Sequence, residues 1–163
     1  MLTLPTIVER AETHYAGVSA EVMMPFGERI DPLMNEVEGH LRAAGGGELG
    51  LALFRYDVID MPRLEVQFGF TTPAPIAGTE RVKAGVLPAG RYATVTYFGH
   101  YDDLEAVTGV LIGWAKLKGI EWDSTMTPQG ERFAARVEIY PNGPADEPDP
   151  AKWETQIFIK VRD

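Results

Sequence analysis

The sequence contains no cysteine, which excludes disulfides, thiol nucleophiles and thiolate-bound metals. Only two serines occur, Ser19 and Ser124, and neither lies in the Gly-x-Ser-x-Gly turn of a serine hydrolase. The three histidines, at positions 14, 40 and 100, are far apart and form no HExxH-type motif. No glycine-rich phosphate-binding motif occurs either. The sequence therefore predicts no metal and no cofactor.

Basic residues are also few, since 15 lysines and arginines stand against 24 acidic residues and give a formal net charge of −9. Such a chain repels phosphate backbones, so direct binding of DNA or RNA is not expected. An acidic surface concentrates cations, although it also serves plain solubility, and both interpretations stay open. No stretch approaches eighteen apolar residues and no leader is recognisable, which predicts a cytoplasmic location. The 163 residues suit one domain.

Two successive segments contain the same order of elements: strand, helix, strand and strand. In the first, about residues 8–72, alternation predicts a strand in ERAETHYAGVSAEV. A helix follows, with Asp31 and Pro32 expected as its N-cap and first residue, and the glycines 45–47 are expected to end it. Its apolar stripe at helical spacing is formed by Ile30, Leu33, Val37 and Leu41. LGLALFRYD and RLEVQFGF alternate as two further strands, which should pair.

The second segment, about residues 88–162, follows a stretch rich in proline and glycine, about 73–87, which is interpreted as a linker. It predicts a strand in RYATVTYF, a helix ending at Gly119, and strands in FAARVEIY and WETQIFIKV. In the turn GHYDD, Asp102 or Asp103 is expected to cap the helix, and His100 and Tyr101 are interpreted as turn residues. The prediction is one α+β domain of two pseudo-twofold repeats. Its antiparallel sheet should carry the helices on one face and a ligand groove on the other.

The expected groove combines a carboxylate with aromatic rings. If Val137 and Ile139 face the helix, alternation puts Glu138 and Tyr140 in the groove, where Phe54 and Tyr56 from the first segment would join them. A carboxylate is costly to desolvate without a cation, and aromatic faces attract cations. The alternative is that Glu138 pairs with Arg136 or a cross-strand neighbour on a solvated face.

Several segments in this order are similar to one known family. They are LPAGRYATVTYFGHYDDL before a helix, EIYPNGP after a strand, a loop rich in Pro, Asp and Glu, and WETQIFIKV, with weaker matches in HYAGVSAEV and LEVQFGF. The chain thus resembles the GyrI-like small-molecule-binding family, the effector-binding domain of AraC-type and MerR-type multidrug-responsive regulators. The resemblance implies the two-repeat fold and a groove for amphipathic, often cationic and aromatic, compounds.

The resemblance implies that Glu138 and Tyr140 line this groove. It departs in the last strand, where this chain has Gln156 in place of a glutamate that the family commonly has. Aligning the two segments offers Glu65 as a substitute carboxylate, and Trp153 is either a lid aromatic or ordinary packing. The residues predicted to bind ligand are Phe54, Tyr56, Glu65, Tyr97, Glu138, Tyr140, Trp153, Gln156 and Phe158.

Three functions follow from these features. The first is binding of amphipathic, cationic or aromatic small molecules, as a multidrug or effector-binding module without its own DNA-binding domain. The second, which the resemblance implies for some standalone relatives, is cofactor-independent hydrolysis of cyclopropane-bearing DNA-alkylating toxins. Glu138 would then be the general base, and Tyr140 would polarise the departing group. The third is a gyrase-inhibitor-like module, whose partner is DNA gyrase. A transcription factor or a second copy of the chain are further expected partners.

Overall fold

The computed structural model describes residues 1–45 and 47–163. Within them the chain forms two α-helices and ten strands of one antiparallel sheet system. The elements in chain order are β1 Thr6–Arg10, β2 Thr13–Met23, α1 Gly27–Ala43, β3 Ala52–Asp60, β4 Arg63–Thr71, β5 Val82–Leu87, β6 Gly90–Phe98, α2 Leu104–Leu117, β7 Ser124–Thr127, β8 Gly130–Phe133, β9 Arg136–Tyr140 and β10 Glu154–Lys160. The fold is α+β, as predicted.

The order of the strands across the sheet is β1-β6-β10-β9-β3-β4-β2-β5, and the hairpin β7-β8 pairs with β3 beside this path. Strands β2, β3 and β4 of the first segment therefore lie in one half of the sheet, and β6, β9 and β10 of the second segment lie in the other, where β1 pairs with β6. The two halves meet where β3 pairs antiparallel with β9, with Phe54 directly opposite Glu138. The centre of the sheet is thus built from one strand of each half. The predicted pseudo-twofold symmetry stays a prediction.

Both helices pack on the same face of the sheet, through two separate apolar clusters. Leu33, Val37 and Leu41 of α1 pack on side chains of β2 and β4 such as Phe68. Val107 and Leu111 of α2 pack on β6 and β10. Because α1 lies over β2 and β4, and α2 over β6, the central strands β3 and β9 lie between the helices on this face.

The opposite face of the sheet has its own apolar cluster, drawn from both halves of the chain. It includes Leu53 of β3, Val137 and Ile139 of β9, and Phe158 of β10, together with Tyr15, Leu87, Tyr92 and Ala135. Side chains from both ends of the strand order meet in this cluster, as a curled sheet allows. Apolar burial on both faces means that alternation alone does not reveal which face holds the helices.

Several local predictions were wrong. Helix α1 begins at Gly27, so that Pro32 lies inside it. A proline there removes one backbone donor, and the apolar stripe of the helix keeps it packed despite this loss. The stretch interpreted as a linker contains β5, which pairs with β2. Strand β1 and the hairpin β7-β8 were not predicted, because four or five residues carry little periodicity.

Some of the predicted helix ends agree with the structure and others do not. Helix α2 ends before Gly119, which has a φ of 70° as expected of a glycine that terminates a helix. Helix α1 ends at Ala43, and Gly45 has a φ of 75°; Gly46 of the predicted stop lies outside the described residues. At the start of α2 neither aspartate caps the helix through its side chain. His100 instead accepts from the Asp102 amide in the 3-10 turn Tyr101–Asp103. In the described residues no helix is long and apolar enough to cross a membrane.

Candidate functional site

Glu138 lies near the centre of the sheet, on the face that carries the helices. It is opposite Phe54 on one side and Ile157 on the other, and Ile157 packs in the α2 cluster. The prediction that Glu138 lies on the face opposite the helices was therefore wrong. The position of the ligand groove itself stays a prediction. Val137 and Ile139, which were predicted to face a helix, are buried on the far face of the sheet instead. The alternation along β9 was therefore predicted correctly, but its two faces were exchanged.

Glu138 is half-buried among aromatic side chains. Desolvation raises the pKa of its carboxyl, while hydrogen bonds from Tyr140 and Tyr56 and the charge of Arg136 oppose this rise. The Tyr140 hydroxyl donates to Oε2 of Glu138. A carboxylate that accepts hydrogen bonds yet keeps a raised pKa has lost more water than its neighbours replace.

Arg136 does not compensate Glu138 directly. Among the described residues no ion pair joins the two side chains within 4 Å. The Arg136 guanidinium instead stands over the Phe133 ring, 4.9 Å from its centroid. Burial lowers the pKa of Arg136, against the raising effects of Tyr56, Glu138 and Glu131. Glu138 therefore has no direct ion-pair partner among the described residues, while the charge of Arg136 acts on it from a longer distance.

The two tyrosines beside Glu138 are held in their neutral, proton-donating form. Desolvation and the Glu138 carboxylate raise the pKa of Tyr140 and of Tyr56 well above the usual value. Since a phenol with a raised pKa keeps its proton at every physiological pH, both hydroxyls remain donors, and that of Tyr140 is hydrogen-bonded to the Glu138 carboxylate. Within this group the only negative charge is that of Glu138.

Aromatic rings continue from Glu138 in both directions. The Phe54 ring lies edge-on to Tyr140, with centroids 5.0 Å apart, and edge-on to Phe68 at 4.9 Å. On the other side Tyr101 lies 5.8 Å from Tyr140 and stacks on Trp153 at 4.8 Å. The resulting aromatic row consists of Phe26, Phe68, Phe54, Tyr140, Tyr101 and Trp153.

Three members of this row were not predicted as site residues. Tyr101 was interpreted as a turn residue, yet its ring joins Tyr140 to Trp153. Phe26 and Phe68 extend the row beneath α1. No pattern in the sequence identifies Tyr101, because its contact with Trp153 depends on how the loop before β10 folds back. The Trp153 indole N–H donates to the Glu147 carbonyl at 2.7 Å and fixes that loop.

Tyr97 lies on the same face but is engaged elsewhere. Its hydroxyl donates to Oδ2 of Asp103 at the start of α2, and this carboxylate raises the pKa of Tyr97. Its ring packs at the edge of the α2 cluster. The structure therefore gives Tyr97 a role in anchoring the helix start, next to the aromatic row.

Glu65, Gln156 and Phe158 do not join Glu138, and their predicted place in one groove with it was wrong. Glu65 alternates with Val66 and Leu64, which face α1, so it lies on the far face, where it accepts from Arg63 at 3.3 Å. Gln156 is opposite Ile139 and hydrogen bonds to Glu154. Phe158 packs in the far cluster. Neighbouring residues in a strand point to opposite faces of the sheet, so a shift of one position places a side chain on the other face.

Residues 4–162 match the model of the GyrI-like small molecule binding domain. The chain therefore belongs to the GyrI-like family of small-molecule-binding domains. None of the curated proteins compared with it is significantly similar in sequence.

Solved structures share the fold. The EcmrR C-terminal domain superposes with a TM-score of 0.73 at 18% identity, covering 98% of both chains. EcmrR in a complex with DNA superposes with a TM-score of 0.77 at 19% identity. The match covers 98% of this chain and 57% of the EcmrR chain, so this chain spans little more than half the length of that protein. SAV2435 bound to tetraphenylphosphonium gives 0.63 at 12% identity, covering 98% of this chain and 94% of that chain. At these identities the similarity shows the fold alone.

Proposed function

We propose that this domain binds hydrophobic cations between α1 and α2, with Glu138 as the charge partner and the aromatic row as the contact surface. The observation that carries the proposal is the half-buried Glu138 carboxylate, which has aromatic neighbours and no ion-pair partner among the described residues. A bound cation would replace the solvation that the carboxylate has lost.

The magnitude follows from simple electrostatics. Two unit charges about 6 Å apart in an effective dielectric of about 20 attract by roughly 3 kcal/mol, and partial exposure reduces this figure. Cation–π contacts with Tyr140, Tyr101 or Trp153 would add roughly 0.5–2 kcal/mol each. A flat or multi-ring cation is therefore expected to bind more tightly than a small aliphatic one. A ligand of this type occupies SAV2435, which supports the proposal through the shared fold.

The test compares tetraphenylphosphonium with tetraphenylborate, which have nearly the same shape and opposite charge. Calorimetry should show that the wild-type protein binds the cation at least about tenfold more tightly than the anion. Glu138→Gln should remove most of this difference. Glu65→Gln makes the same charge change on the far face, and it controls for general attraction by the acidic protein. Equal effects of the two variants would contradict the proposal.

The alternative that we propose for the same residues is hydrolysis of a strained electrophile. The raised pKa of Glu138 suits a general base, and the neutral Tyr140 hydroxyl suits a donor to a leaving group. A Listeria innocua protein described as a hydrolase shares the fold, with a TM-score of 0.63 at 13% identity and coverage of 97% and 91% of the two chains. Mass spectrometry of a cyclopropane-bearing alkylator after incubation tests it. Ring opening that persists in the Glu138→Ala, Tyr140→Phe variant would contradict this mechanism.

A role in transcriptional regulation, a gyrase partner, a second copy as partner and a cytoplasmic location remain predictions. Co-purification of the tagged chain with gyrase subunits, with and without tetraphenylphosphonium, tests the gyrase partner. If a ligand at the proposed site acts as an effector, the expected sign is a ligand-dependent change in such a complex.

A further inference from the structure

A cavity lies on the face of the sheet opposite Glu138. Its volume is about 570 Å³, which is within the usual size range of small-molecule sites. Ile139 and Gln156, which are paired across β9 and β10, line it from the sheet. The other walls come from Arg10 at the end of β1, Thr13, residues 48–51 before β3, and residues 71–73, which begin with the last residue of β4. This cavity shares no lining residue with the aromatic row.

Arg10 is the positive charge of this cavity. Its guanidinium stands 4.0 Å from the centroid of the Phe158 ring and 6.0 Å from that of Tyr92. Among the residues that the structure describes, Arg10 pairs with no carboxylate within 4 Å. Desolvation lowers the pKa of Arg10, against a smaller opposing effect of Tyr92. The side chain has thus been partly removed from water, with ring faces as its neighbours.

The other residues that line the cavity are apolar side chains, threonines and one glutamate. Leu49, Leu51 and Ile139 provide apolar surface, as does Pro73. The threonine hydroxyls are largely used within the protein, since Thr71 accepts from the Leu51 amide at 2.8 Å and Thr72 donates to the Ala74 carbonyl at 2.8 Å. Glu48, which is exposed, also lines the cavity and disfavours an anion in its vicinity. An anion is therefore expected at Arg10, away from Glu48.

We propose that this cavity binds an apolar carboxylate, with the carboxylate on the Arg10 guanidinium and the hydrocarbon part on Leu49, Leu51 and Ile139. A guanidinium matches a carboxylate with two parallel hydrogen bonds, and it has no such partner within the described chain. Because the whole molecule is acidic, long-range attraction does not favour anions. Binding has to come from the short-range contact with Arg10.

The experiment uses decanoate as the probe and 1-decanol as its uncharged counterpart, both below their aggregation limits. Titration of the ¹⁵N-labelled protein should move the amide signals of Thr13, Leu51 and Thr72, and leave those of Tyr101 and Trp153 in the aromatic row in place. Decanoate should bind at least about tenfold more tightly than 1-decanol, as a charge-assisted contact predicts. Arg10→Gln should abolish this preference. Arg91→Gln removes an exposed arginine from the neighbouring strand and should leave it unchanged.

Folding of the Arg10→Gln variant is checked by its binding of tetraphenylphosphonium, or by its circular dichroism if the wild-type protein does not bind that cation. A second variant, Leu51→Trp, fills the cavity from a partly exposed position and should weaken decanoate binding without removing the charge. Three results would overturn the proposal: no binding of decanoate by the wild-type protein, signal changes centred on Tyr101 and Trp153, or an Arg10→Gln variant that prefers decanoate over 1-decanol as strongly as the wild-type protein does. None of them bears on cation binding at Glu138, so the two proposals fail separately.

Discussion

Glu138→Gln should stabilise the folded protein at pH 8 while it removes cation binding. The folded-state pKa of Glu138 is raised, chiefly by desolvation, so the charged form is disfavoured by folding. The contribution of Glu138 to the free energy of unfolding is therefore complete below the pKa of the unfolded chain. It is lost progressively as the pH rises through the raised folded-state pKa. Glutamine is uncharged throughout this range, and it can still accept from Tyr140.

The size of the effect follows from the cost of an incompletely solvated polar group, about 1–3 kcal/mol when fully buried. Glu138 is half-buried, so we expect a gain of roughly 1 kcal/mol, or a rise in Tm of about 2–4 °C for a chain of this size. Thermal unfolding of both proteins between pH 4 and pH 8 measures it. The difference between variant and wild type should be small at pH 4 and grow toward pH 8.

The control is Glu65→Gln, which removes a half-exposed ion pair with Arg63 and should lower stability by less than about 1 kcal/mol. A Glu138→Gln variant that is less stable than wild type at pH 8, or a difference that does not change with pH, would refute the reasoning. Either result would mean that hydrogen bonds to the carboxylate outweigh its desolvation.

Three further results are expected. The affinity for tetraphenylphosphonium should rise with pH through the raised pKa of Glu138, whereas that of Glu138→Gln should not depend on pH over the same range in calorimetry. Tyr140→Phe removes a hydrogen bond that lowers the pKa of Glu138, so the rise in affinity should move to higher pH; a move to lower pH would contradict this role. Gly69→Ala should destabilise the protein by more than about 3 kcal/mol in urea unfolding, because the added Cβ would lie 1.8 Å from the Ala16 carbonyl oxygen. Its control, Gly113→Ala on α2, meets no atom within 4 Å and should stabilise by about 0.5–1 kcal/mol.

The elements that were predicted correctly carry a regular apolar pattern in the sequence. The apolar stripe of α1 and the alternation of RLEVQFGF each reflect burial against a single neighbour. Strand β5 was missed because its residues alternate weakly among prolines and glycines, and its pairing with β2 is set by the rest of the sheet. Pairing at an edge depends on tertiary contacts, which a local pattern does not record.

Four of the predicted site residues share one face of the sheet, although not the face that was predicted. Glu138, Tyr140, Phe54 and Tyr56 are brought together, because alternation along β3 and β9 decides which side chains share a face. Whether that face also carries the helices could be predicted only if apolar side chains were confined to one face of the sheet. Here apolar side chains are buried on both faces, in the α2 cluster and in the far cluster. The alternation therefore predicts which side chains share a face of the sheet, and it does not predict whether that face carries the helices.

This misplacement changes what Gln156 means for the proposed function. A glutamine in place of an acidic residue would weaken cation binding if it lay beside Glu138. Gln156 is opposite Ile139, whose side chain is buried in the far cluster, so its lack of charge leaves the electrostatics of the aromatic row unchanged. Among the described carboxylates, Glu138 is the one that accepts a hydrogen bond from Tyr140, with the neutral Tyr140 and Tyr56 beside it, while Asp146 acts on Tyr101 farther along the row. A single carboxylate of this kind suits a monovalent cation better than a divalent one, because a second positive charge would remain without a partner.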